Sequence, residues 1–288
     1  MRQIAWKRAT LVVMCVAVAG LARAADDPAR VPDFSGFWAH GVTQIVYQPI
    51  PGAAAGPVID VLNIACTPNC PPRPAGQHFI GDHTNPILKP NAAAAVKANG
   101  DLWRSGEIVN AATELCAPSG VPHITTVFGP VQFLQTPDQI TILYQRDHQV
   151  RRVWMNRPHT ANLKPSWYGE SIGRYEGDIL VIDTIGLNDR STIDRFGAPQ
   201  TETTHVVERY RISADGRSLV AHITVDDPNV FTMPWSGTIT FARNANLPVL
   251  AEEICAENNR VAETTDGVLP LPTASDAEYR QWRDMAFP

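Results

Sequence analysis

The groups best able to move protons are concentrated between Asp178 and Arg211, in the stretch DILVIDTIGLNDRSTIDRFGAPQTETTHVVERYR. Asp183, Asn188, Asp189, Arg190, Asp194, Arg195, Glu202, His205, Glu208 and Arg209 all fall there, in a chain whose charged residues make up only 18% of the total. A carboxylate beside an imidazole is the pairing that general acid–base chemistry uses near neutral pH, with an arginine to hold developing negative charge. Asp183, Glu208, His205 and the upstream His159, in NRPHTANLKPSW, are therefore the candidate catalytic residues. Arg190 and Arg209 are the charge-holding candidates. Asn188, Asp189 and Asp194, with the aromatic Trp167, Tyr168 and Tyr210, complete the candidate substrate-binding set.

Strand periodicity sorts these residues by face, because successive side chains point to opposite sides. In THVVERYRI, Val206, Glu208, Tyr210 and Ile212 share the more apolar face, so Glu208 is expected to point inward. Asp183 shares a face with Ile179, Val181 and Ile185 and is expected to join Glu208 in one hollow. A buried carboxylate is costly unless it is paired, protonated or hydrogen-bonded, so each needs a partner. The segment 186–204 between the two strands is long for a hairpin, and loops of that kind are often lids or binding loops. Asn188-Asp189-Arg190 also fits an Asx-type turn with a surface ion pair.

The elements that must hold these groups are short β-rich runs broken by turn dipeptides: ITTVF, VQFLQ, QITILYQ, QVRRVWM, SWYGESIGRY, DILVIDTI, THVVERYRI, RSLVAHITV and WSGTITFAR. Eight or nine strands joined by tight hairpins predict a mainly β fold. The expectation is an antiparallel meander that closes into a lipocalin-like barrel or a strongly curved half-barrel. One helix is predicted at about 90–104, where Pro90 suits a first turn, and a second, short one at 275–285. The stretch 49–90, rich in Pro, Gly and Ala, reads as an irregular excursion with one strand near 58–64. Residues 25–288 are taken as one β-rich domain.

Arg2, Lys7 and Arg8 precede an apolar run from Ala9 to Leu21 and the triplet Ala22-Arg23-Ala24, the order of a Sec-type signal peptide cleaved after Ala24. The run is too short to span a bilayer, so no stable membrane insertion is expected and the chain is placed in the periplasm or outside the cell. In that oxidising setting Cys66, Cys70, Cys116 and Cys255 are expected to form disulfides, with pairings 66–70 and 116–255 preferred. No CxxC or HxxxH spacing supports zinc, and ligation of a metal by His159, His205 and Asp183 rests on no local motif. A net charge of −5 without a Lys/Arg run excludes the footprint of a nucleic-acid binder. The chain has no GxGxxG, no P-loop and no G-x-S-x-G elbow, so no cofactor is expected. Oligomeric state is not legible.

Two resemblances add to this reading. Gly36-Phe37-Trp38 resembles the G-x-W opening strand of lipocalins, whose tryptophan plugs one end of a barrel. The stretch SWYGESIGRYEGDILVIDTIGLNDRSTIDRFGAPQTETTHVVERY closely resembles a motif of a large family of uncharacterised secreted bacterial proteins. That likeness extends through CAPSGVPHI, ILYQRDHQVRRVWMNRPH, ITVDDPNVFTMPW and EEICAENN, over roughly 31–260. The chain departs from the family's pattern at Pro199-Gln200, where Pro-His is common, and at Met155-Asn156-Arg157, where Asp-Gly-Arg precedes the Pro-His pair. What the resemblance implies is a fold and a location. The resulting expectation is a cofactor-independent lyase, isomerase or hydrolase acting on a small apolar or aromatic molecule, with a non-catalytic lipocalin-like carrier as the alternative.

Overall fold

Period-two alternation governs the wall of the molecule. In the computed structural model, which describes residues 31–39, 46–53, 55–59, 80–105 and 116–255, the strands are β1 Gly36–Ala39, β2 Gln48–Pro49, β3 Val131–Gln135, β4 Gln139–Tyr144, β5 Val150–Met155, β6 Glu170–Glu176, β7 Ile179–Ile185, β8 His205–Ile212, β9 Ser218–Asp226 and β10 Trp235–Arg243. They form one sheet in the order β1-β3-β4-β5-β6-β7-β8-β9-β10-β2, and a β1–β10 pairing closes nine of them into a barrel. In β4, β5, β8, β9 and β10 every second residue is buried, the pattern of a wall with one face inside and one outside. The described residues all belong to the compact unit Val31–Pro288.

The barrel is a meander with one exception to the antiparallel expectation. β5 and β6 run parallel, with Val153 opposite Ser171 and Met155 opposite Gly173. The reason is parity. A walk around a closed barrel must return to the starting direction, which takes an even number of antiparallel steps, so nine strands require a parallel seam. The connection 156–169 must then travel back along the barrel before β6 can start, and it does so over the outer face. At its far end Gly169 has φ +59, and a Cβ there would lie 2.3 Å from the Ile185 carbonyl oxygen. Only glycine lets the connection re-enter the wall so closely.

Both ends of the barrel are covered. At one, residues 31–35 cross beneath the hairpin turns, with Phe34 fully buried and its N–H given to Gln135 Oε1. Trp38 Nε1 donates to the Phe34 carbonyl, and the Arg243 guanidinium lies 4.1 Å from the Trp38 ring centroid, so the buried tryptophan plugs this end. At the other end lie the connection 186–204, a 3-10 turn at His123–Thr126 and α1, Pro90–Ser105. Ile124, Thr125 and Thr126 of the ITTVF run thus lie in a buried 3-10 turn where a strand was expected, and Phe128 beyond them is exposed. His123 is buried within that turn. The described part of the proposed 58–64 strand carries none, and the helix expected at 275–285 and the Cys66–Cys70 bridge lie outside the described residues. Cys116 and Cys255 are joined by a disulfide.

Large apolar side chains line the interior. Trp38, Phe133, Ile140, Ile142, Val153, Leu180, Ile182, Tyr210, Ile223, Trp235 and Phe241 pack into one core, and Tyr210 meets Phe133 edge-on at 5.8 Å.

Candidate functional site

Alternation places the two candidate acids on opposite sides of the wall. In β7 the inward residues are Leu180, Ile182 and Thr184; Asp183 faces out, directly between Ile172 of β6 and Val207 of β8. Glu208 pairs with Ile182 and faces in, with no exposed surface. The single hollow holding Asp183 and Glu208 does not exist. The expectation failed because Asp183 sits on a face as aliphatic as the core face, and the crossover that half-covers that outer face leaves no periodic mark.

Glu208 belongs to a closed polar network. Arg151 of β5, which shares the inward face of Val153 and Met155, gives one guanidinium nitrogen to Glu208 Oε1 at 3.0 Å and another to Oε2. The same guanidinium donates to Ser171 Oγ at 3.1 Å and Thr184 Oγ1 at 2.9 Å, and the Tyr210 hydroxyl donates to Glu208 Oε1 at 2.8 Å. Burial acts to strip the charge from Arg151, but the facing carboxylate outweighs it and raises its pKa. Burial, aided by Glu208, keeps Tyr210 protonated. Every polar group here is satisfied inside the wall, so Glu208 and Tyr210 brace the core and offer nothing to a substrate.

Asp183 has different company. His159, delivered by the crossover, places Nε2 3.0 Å from Asp183 Oδ1; His205, the first residue of β8, places its own Nε2 3.0 Å from the same oxygen. The other ring nitrogen of His159 lies 3.0 Å from Glu170 Oε2. The row Glu170–His159–Asp183–His205 runs across β6, β7 and β8 with side-chain exposures of 10, 19, 25 and 42%. Glu170 also accepts from the Thr160 N–H at 2.8 Å, the Thr160 hydroxyl at 2.7 Å and Arg157 at 3.2 Å. Burial alone would raise its pKa, but these donors outweigh it and hold the carboxyl below the usual range. His159 thus bridges two carboxyl groups, one at each ring nitrogen. His205 spends one nitrogen on Asp183 and has the second ring nitrogen for another partner.

The structure therefore brings together His159, Asp183 and His205 and leaves Glu208 out. Glu170, Arg157 and Thr160 escaped sequence reading, because only the crossover's path brings them to the cluster. Among the binding candidates, Arg209 faces out but is held by Glu176 at 2.6 Å, away from the cluster. Asp189 and Arg190 are exposed, and Arg190 N–H donates to Asn188 Oδ1 at 3.2 Å, the Asx turn that the sequence suggested. Asn188 is itself buried, and its carbonyl accepts from Gln200 Nε2 at 2.7 Å. Trp167 and Tyr168 are half-buried where the crossover ends, and the Tyr168 hydroxyl donates to Gln149. Among the described residues no group of three His, Cys, Asp or Glu side chains is arranged to hold a metal ion.

The long connection 186–204, expected as a lid or binding loop, is packed onto the barrel end. Leu187, Ile193, Phe196 and Ala198 are buried, and Asp227 anchors its end by accepting from Thr201, Thr203 and Thr204. At its centre Asp194 Oδ1 accepts the N–H groups of Phe196 (2.9 Å) and Ala198 (3.2 Å), while Oδ2 is buried with no hydrogen-bond partner among the described residues. Burial pushes this carboxyl up to about 7 against the pull of those backbone donors. His123 Nδ1 lies 3.1 Å from Thr192 Oγ1; burial, reinforced by the Arg195 charge, lowers its pKa to about 3. Comparison with protein-family models and with curated proteins found no match for this chain.

Proposed function

We propose that the protein is a cofactor-independent enzyme that works by acid–base chemistry on a small molecule at the outer face of its barrel. His205 is the group that meets the substrate. Asp183 orients it through Nε2, which leaves Nδ1 to take or give a proton, and the Glu170–His159 pair holds the aspartate in place. The observation that carries this reading is the shared oxygen of Asp183, flanked by two imidazoles and partly open to solvent. Ile172 and Val207 flank the aspartate, which suits a substrate with an apolar body, and the chemistry fits a lyase, isomerase or hydrolase. Export to the periplasm or beyond is part of the proposal and is supported by the Cys116–Cys255 bridge; membership of the secreted family rests on the motif. No helix among the described residues is long and apolar enough to cross a membrane.

The test is a screen of small aromatic, terpenoid and sugar-derived compounds for turnover, repeated with His205→Gln and Asp183→Asn. Loss of a positioned acid–base group lowers kcat by about 10²–10⁴-fold. Unchanged turnover in folded Asp183→Asn removes the cluster from the mechanism. A second reading is favoured by the four donors that surround Glu170: the cluster is a clasp pinning the crossover to the wall. In that case both substitutions lower stability by about 1–3 kcal/mol and no turnover is found. Aromatic side chains and the Arg151–Glu208 network line the interior that a lipocalin-like carrier would use, and binding of a screened compound without turnover would favour that reading.

A further inference from the structure

The plugged end of the barrel carries a pocket that the acid–base cluster does not use. It has a volume of about 430 Å³ and is walled by the entry segment (Val31, Asp33, Ser35), the β3–β4 turn (Gln135, Thr136, Pro137), Asn156 and Tyr175. That size falls within the range of small-molecule sites. Its floor is rigid. The Tyr175 ring stacks on the buried Phe34 with centroids 6.4 Å apart, and Gln135 Nε2 donates to both the Tyr175 hydroxyl and the Pro32 carbonyl at 2.9 Å. Gln135 is thus spent on building the site.

Three polar groups at the pocket differ in kind. Asn156 is exposed and held at φ +57, with its backbone N–H bonded to the Gly173 carbonyl at 2.8 Å; its carboxamide has no partner among the described residues. A carboxamide both donates and accepts, which matches a pair of adjacent hydroxyls. Tyr175 receives a hydrogen bond from Gln135 and still has its own proton to donate, and burial together with nearby Asp33 keeps that proton on. The Asp33 carboxylate at the rim is engaged, its Oδ1 accepting the Ser35 N–H at 2.9 Å, and Val31 and Pro137 add apolar surface. An aromatic ring and apolar wall beside an amide and a hydroxyl donor fit a ligand with a C–H face and a rim of hydroxyl groups.

We propose that this pocket binds a saccharide, through the Tyr175 ring and hydroxyl and the Asn156 carboxamide. The site is separate from the His159–Asp183–His205 cluster and stands whether or not that cluster is catalytic. The test is saturation-transfer NMR on the full secreted chain with glucose, galactose, N-acetylglucosamine and maltose, each titrated to about 10 mM, a range that reveals millimolar affinities. Saturable binding of at least one sugar is expected. Asn156→Gly keeps the backbone conformation while removing the carboxamide and should weaken binding about tenfold, the worth of one lost hydrogen-bonding group. Tyr175→Phe, which keeps the ring, should weaken it by a similar factor. No saturable binding by any of the four sugars, or binding unchanged in both folded variants, overturns the proposal.

Discussion

Asp194→Asn offers a prediction whose size can be worked from the structure. Asp194 is 3% exposed, and its carboxyl is pushed up to about 7 from an ordinary 3.8. A raised folded-state pKa means that the folded chain holds a proton the unfolded chain has released. Stability is therefore full below about pH 4 and lost as pH rises toward 7, above which both states are ionised and the loss levels off. A shift of roughly three units at 1.36 kcal/mol each gives a loss of about 4 kcal/mol across that window. Asparagine keeps an oxygen for the Phe196 and Ala198 N–H groups, places its amide where Oδ2 has no partner among the described residues, and does not titrate. Urea unfolding of wild type and Asp194→Asn at pH 4.5, 6, 7.5 and 8.5, with the disulfide intact, isolates the effect. His123, lowered to about 3, destabilises the fold as pH falls below its ordinary 6.5, but it does so in both proteins and cancels in the difference. The variant should gain on wild type steadily from pH 4.5 to 7.5 and hold its lead at 8.5. Parallel curves would refute the reasoning.

Three further outcomes follow from the packing. Glu208→Gln leaves the Arg151 guanidinium without its buried counter-charge and should cost about 3–5 kcal/mol in denaturant unfolding, while Arg151→Met with Glu208→Leu should cost less than the two single changes added together. Replacing Cys116 and Cys255 together by serine opens a closure spanning 139 positions and should lower stability by about 2–4 kcal/mol; an unchanged midpoint would mean the bridge does not form. Gly169→Ala forces a Cβ against the Ile185 carbonyl and should be destabilising by at least about 1–3 kcal/mol, with loss of the His159 contact visible as a shift of its ring resonances.

The barrel was legible because period two and turn dipeptides are written directly into β3–β5 and β7–β10. Glu208 could be placed inside from its neighbours alone, and Arg151 carried the same signal on the face of Val153 and Met155. The 16-residue helix begins at Pro90, as its first-turn proline suggested. What stayed hidden depends on long-range paths. Asp183 looks like a core residue in its own strand, since Val181 is buried on that outer face too, beneath the directly paired Arg174 and Arg209. Thr125 and Thr126 belong to a strand-like run yet pack into a 3-10 turn, because their hydroxyls bond back to the carbonyls of Pro122 and His123. Glu170 meets His159 only because the parallel seam sends the chain back across the wall.

That seam divides the cluster by how freely each part can be revised. Asp183 and His205 are tied to fixed positions in neighbouring strands, and sliding either by one residue would turn it to the other face. His159, Thr160 and Arg157 ride on a connector outside the ladder, where insertions and replacements leave every strand pairing intact. A change of side chain at His159, Thr160 or Arg157 thus leaves the contact between Asp183 and His205 standing.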